Sequence, residues 1–99
     1  MKQSTFEIRA FAENKIWHRS HNFVLSGDEK FMDVDRNDAS IFYKKPDLKD
    51  YATQAEANKF AAHTDVKFTL VEIVVDLEDE ESEIEFNEIE TLKFKVEDA

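Results

Sequence analysis

The chain has 99 residues, of which 13 are Lys or Arg and 23 Asp or Glu, giving a formal net charge of −10; it carries nine phenylalanines and no cysteine. The missing cysteines exclude disulfides, thiol nucleophiles and thiolate metal sites, and the aromatic content excludes a solvated, disordered chain. The longest dense apolar run, Phe68–Val75, falls far short of the roughly 20 residues of a membrane-spanning helix, so one soluble, cytoplasmic domain covering 1–99 is expected.

Phe6–Phe11 alternates, with Phe6, Ile8 and Ala10 on one face of a predicted strand. Glu13 and Asn14 turn the chain and Lys15–Arg19 returns, which makes Phe6–Arg19 a predicted hairpin. Ser20–Lys30 reads as a loop with Phe23, Val24 and Leu25 tucked toward the core, and Asp33–Asp38 as a polar turn. Ala39–Tyr43 is a short apolar run predicted as a strand, followed by a connection around the single proline, Pro46. Thr53 and Glu56 stand at the spacing of a capping box. Ala55, Ala57, Ala61 and Ala62 favour helix, which predicts one main helix over Gln54–His63.

Val66–Leu77 is predicted as a long strand. It sets Val71, Ile73, Val75 and Leu77 on one face and Phe68, Leu70 and Val74 on the other, the pattern of a central strand. A polar break at 78–82 follows. Ile84, Phe86, Leu92, Phe94 and Val96 then share even-numbered positions. That period favours a strand over the helix that the glutamates of this segment would otherwise support. Residues 66–96 are thus a predicted second hairpin with acids at its tip and along one face. The expected fold is α+β: an antiparallel sheet of four or five strands with one main helix, about 54–63, packed on one face.

Charge is distributed unevenly along these elements. From Glu72 to Ala99 twelve acids face only Lys93 and Lys95, whereas the acids and bases of residues 1–71 cancel. A concentrated negative field repels nucleic acid and attracts basic protein surfaces. Charge runs are usually solvated faces that aid solubility. Here the acids alternate with apolar residues, which would hold them on an ordered surface. Carboxylates at strand spacing can then imitate the regular charge of a nucleic-acid backbone. Both readings stand on the sequence.

No catalytic or metal constellation emerges. Asp33, Asp35 and Asn37 resemble the opening of a calcium loop, but Asp38 stands where glycine is required and Lys44 where a bidentate glutamate is required, so the segment reads as a solvated turn. His18 and His21 lie three apart on a predicted strand and read as surface or core-edge histidines. The carboxylates between Asp76 and Glu90 lack the apolar pocket that acid–base work needs, and Gly27 alone makes no phosphate loop. Lys44, Lys45 and Lys49 near Tyr43 and Tyr51 are mixed with Asp47 and Asp50 and read as a mixed-charge loop. Trp17 is either a core residue or an exposed binding anchor.

The strand Phe6–Phe11, the segment Tyr51–Ala61 (YATQAEANKFA) and the strand Leu70–Val74 together resemble short proteins of bacteriophages and mobile elements, in which a strand pair precedes a T-x-x-E-A-x-x-F-A helix and a closing strand. The resemblance covers about Phe6–Val75 and implies an origin in a bacteriophage or mobile element more than an activity. Small acidic phage proteins include inhibitors of host-defence nucleases, anti-CRISPR proteins among them, and the acidic hairpin lies beyond the shared part. The expectation is a non-enzymatic protein, with no cofactor and no metal, that binds a basic protein surface such as a nucleic-acid-binding enzyme and neither nucleic acid nor membrane. Glu78, Asp79, Glu80, Glu81, Glu83, Glu85, Glu88 and Glu90 would carry the charge, with Trp17 and Phe86 as candidate anchors. The alternative is an assembly protein that forms a homodimer through an edge strand such as 91–96.

Overall fold

The structure is a computed structural model that describes residues 1–21, 29–33, 39–78 and 84–96. Strands β1 (Lys2–Ala12), β2 (Lys15–His21), β3 (Glu29–Met32), β4 (Asp65–Asp76) and β5 (Glu85–Lys95) form one antiparallel sheet in the order β3-β2-β1-β4-β5. One short helix, α1 (Gln54–Asn58), and a 3-10 helix (Leu48–Asp50) complete the regular elements among the described residues.

The first hairpin is built as its pattern demands. Ala12 pairs with Lys15 across a two-residue turn in which Glu13 and Asn14 both have positive φ, 54° and 59°. This conformation twists in the sense of the flanking strands. Asn14 suits it; Glu13 is a less natural occupant, and His63 Nδ1 lies 3.5 Å from its carboxylate. Beyond the turn β2 leaves β1, pairing with it only over Lys15–His18, and runs on to pair with β3. The expected loop at 20–30 therefore contains the end of β2 and the start of β3. Phe23, Val24 and Leu25 lie outside the described residues, as do residues 34–38 of the expected polar turn.

Ala39–Tyr43 is not a strand. Ser40 N–H donates to the Arg19 carbonyl at 2.7 Å, and Phe42 exchanges two 2.8 Å backbone bonds with Phe6. The segment crosses from β2 to the free edge of β1 instead of running along either, and only one bridge forms.

The helix starts where the cap predicts and ends early. Thr53 Oγ1 accepts the Glu56 N–H at 3.2 Å, and the Glu56 carboxylate turns to Lys59 at 2.9 Å and Arg19 at 3.8 Å. After Asn58 the bonds tighten to i−3, from Lys59 to Glu56 and from Phe60 to Ala57, which drops Phe60 onto the sheet. Ala61 and Ala62 are exposed. Helical stability in proteins comes mainly from a packed face, and Ala61 and Ala62 bury none, so the expected extension to His63 fails. Thr53→Ala is expected to cost about 1 kcal/mol in urea denaturation, with Thr53→Ser recovering most of it; an unchanged midpoint for Thr53→Ala would mean the cap is idle.

The helix-covered core lies on one face of the sheet, and Glu7, Thr69, Val71 and Ile73 are buried on the other. On the helix side Ile8, Ala10 and Ala12 of β1 and Val66, Phe68 and Leu70 of β4 are buried beneath Leu48, Ala52, Ala57 and Phe60. The small alanines let the helical segment approach the strands closely. Trp17, Phe31, Leu92 and Phe94 flank this centre.

β4 and β5 pair antiparallel from Asp65↔Lys95 to Val74↔Glu85, the strand pairing that the even-numbered period favours over helix. The single phase expected for 84–96 is broken, however. Leu70 pairs with Glu90 but Val71 with Glu88, so Ile89 is inserted as a bulge. Leu92 and Phe94 face the core with Phe68 and Val66, whereas Phe86, paired with Ile73, stands on the opposite face.

Candidate interaction surface at the acidic end of the sheet

Beyond Leu70 the sheet outruns its helix-covered core, although Val71 and Ile73 stay buried on the other face. β1, β4 and β5 continue together, with Lys2 opposite Asp76 and Glu72 opposite Asn87, but the clustered core residues stop at Leu70. Strand alternation then sends carboxylates to both faces. Glu72 and Glu85 lie on the helix side, Glu88 on the other, and Asp76 and Glu78 close the end of β4.

Local bonds hold several of these acids in place. The Asp76 carboxylate accepts the Glu78 N–H at 3.0 Å and is 3.3 Å from the N-terminal ammonium, which also lies 3.1 Å from Glu78. The Glu78 N–H, and after it the ammonium, hold the Asp76 carboxyl below the usual aspartate range. Asn87 Nδ2 donates to Glu72 at 3.5 Å.

The sequence-predicted site residues divide. Glu78, Glu85 and Glu88 gather at this end and are exposed. Asp79, Glu80, Glu81 and Glu83 lie outside the described residues. Glu90 is half-buried on the core side, opposite Leu70, and stands apart from the group. Trp17 is half-buried and packs edge-to-face on Phe60 at 5.4 Å, with the Lys15 ammonium 5.9 Å from its ring; its place is in the core's flank. Phe86 is 38 % exposed beside Glu88's face, with the Arg9 guanidinium 5.7 Å from its ring centre.

Two clusters escaped the sequence reasoning. The first is a lysine cluster at the end opposite the acidic one: Lys67 pairs directly with Lys93, and with Lys95, Phe11, His63 and the carboxylates of Glu13 and Asp65 they line an open groove of about 750 Å³. A segment-wise charge count merges Lys93 and Lys95 with the acids that precede them. The order along β5, acids first and lysines last, was the available signal. The second is Glu7, which is fully buried on the face away from the helix, bonded to Arg9 Nε and 3.8 Å from His18 Nδ1. Its signal was the Glu7-x-Arg9 spacing, two outward positions of one strand.

No protein-family model, curated protein or solved structure matches the chain. Among the described residues no helix is long and apolar enough to cross a membrane.

Proposed function

We propose that the protein is a non-enzymatic, phage-type binding protein whose acidic sheet end engages a basic protein surface in the manner of a nucleic acid. The observation that supports this reading is the gathering of Glu72, Asp76, Glu85 and Glu88 on paired strands, with Glu78 just past the end of β4, beyond the helix-covered core. Carboxylates fixed to a sheet keep a set spacing, about 6.8 Å between alternate residues of one strand, where a disordered acidic tail would not. Their setting is solvated, so they act through their field and not by proton transfer, which calls for an apolar, enclosed site. The partner class is a nucleic-acid-binding enzyme, of which host-defence nucleases and CRISPR effectors are examples.

The test replaces Glu72, Glu78 and Glu85 by glutamine in a variant shown to melt like the parent. Immobilised parent protein is expected to retain basic nucleic-acid-binding proteins from cytosol at low salt and to release them at high salt or on adding duplex DNA. The triple variant should retain several-fold less. Equal retention by the variant, or retention indifferent to DNA, would sink the proposal.

A further inference from the structure

We infer that β5 is a self-pairing edge: two copies join their β5 strands antiparallel about a two-fold axis at Thr91, making one ten-stranded sheet. This does not rest on the binding role proposed above. Three properties of the strand, two fixed by the ladder with β4 and one by its sequence, favour a second copy and the Thr91 register.

The first is the direction of the backbone groups. Val96 N–H donates to the Thr64 carbonyl. Hydrogen-bonded pairs alternate along an antiparallel ladder, so Phe94, Leu92 and Glu90 turn their amides to β4 and Lys95, Lys93 and Thr91 turn theirs outward. Gln54 Nε2 shows the outward direction by donating to the Lys95 carbonyl at 2.6 Å. Past the bulge the register Val71↔Glu88 and Ile73↔Phe86 makes Glu88 and Phe86 the outward residues.

The second is the register these groups permit. With Thr91 opposite its copy, Lys93 meets Glu88 of the second copy, both outward in their backbones and on the same face of the sheet, and the new ladder ends short of the Lys95 carbonyl, which Gln54 already holds. Glu90 meets Leu92, and Ile89 falls in the bulge on both strands. A neighbouring register centred on Glu90 sets two carboxylates directly opposite each other, which is destabilising.

The third is the order of charge. Lysines, acids and bulges on an edge strand commonly forbid pairing. On β5 the signs are sorted: Glu85 and Glu88 fill one half, Lys93 and Lys95 the other. An antiparallel copy lays acid against lysine twice, and a parallel copy would not. The net charge of −10 opposes association in general, but the two-fold arrangement puts the acidic ends far apart. The pairing also covers Ile89, which is 41 % exposed. The apolar side chains of 91–96 are not what drives it: they lie on the core face alone, contrary to an edge with apolar residues on both sides.

Sedimentation equilibrium over a concentration series tests the inference. The parent protein is expected to dimerise. Glu88→Lys and Lys93→Glu should each raise the dimer dissociation constant by at least about tenfold, since two attractive cross-strand pairs become repulsive. The double variant Glu88→Lys/Lys93→Glu should dimerise again, and mixing the two single variants should yield heterodimer. Thr91→Pro removes an amide that points away from β4, so it should abolish dimerisation while the circular dichroism spectrum stays native. A parent that stays monomeric at every soluble concentration overturns the inference and leaves the edge to a strand of another protein. A dimer indifferent to the charge reversals and to Thr91→Pro overturns it as well.

Discussion

Phe68→Ala is expected to cost about 3–5 kcal/mol, the range for emptying a buried phenylalanine site. Phe68 is fully buried at the middle of β4, the strand on which both neighbours depend. Its ring meets Phe31 at 5.2 Å and, edge-on, Phe94 at 5.7 Å. It thereby ties β3 and β5 to the centre of the sheet from opposite sides. Ala10 on β1 and Leu92 on β5 are its register partners, and alanine cannot swell to fill the void. A domain of this size holds about 5–15 kcal/mol in all, so the variant should sit near the edge of folding. Urea denaturation is expected to show a midpoint lowered by roughly 2 M with an unchanged slope, and Phe68→Leu a much smaller loss. A Phe68→Ala loss under about 1 kcal/mol would mean that the core is centred elsewhere.

Where each residue's own neighbours along the chain decide the outcome, the structure follows the sequence closely. The alternation of Phe6, Ile8 and Ala10, the turn at Glu13 and Asn14, the Thr53 cap and the two-faced apolar pattern of β4 are all local, and all are present. The misses are tertiary. Ala61 and Ala62 have helical propensity but no surface to pack on, and propensity alone does not hold a short helix. Ala39–Tyr43 has strand composition, yet its amides are claimed by two different strands. The bulge at Ile89 adds one residue and so reverses the face of everything before it; nothing in the even-numbered period of 84–96 announces the slip. For the candidate surface, the gathering of acid at one end was legible from the hairpin pattern of 66–96, but its spread over both faces was not, because the bulge at Ile89 turns Glu88 to the face opposite that of Glu85.

Arg9→Ala is expected to destabilise the protein by about 3 kcal/mol, because it strips a buried carboxylate of its main charge partner. Glu7 has no exposed surface, and the guanidinium of Arg9, itself largely covered, supplies its hydrogen bond from Nε. Only His18, at 3.8 Å, would remain beside it in the described structure. A buried pair need not be stabilising as a pair, since both charges were taken out of water to form it. The double variant Glu7→Leu/Arg9→Leu is therefore expected to lose less than Arg9→Ala alone, and a double-mutant cycle should return a coupling energy of about 1–3 kcal/mol. Equal losses for Arg9→Ala in the presence and absence of Glu7 would show that the arginine acts by packing. The same guanidinium lies over Phe86, so its removal should also speed amide hydrogen exchange in β5 around Phe86 and Glu88 beyond the global change. The buried Glu7–Arg9 pair would then help to hold the acidic end of β5 in place, through the Arg9 guanidinium that reaches across β4 to the Phe86 ring.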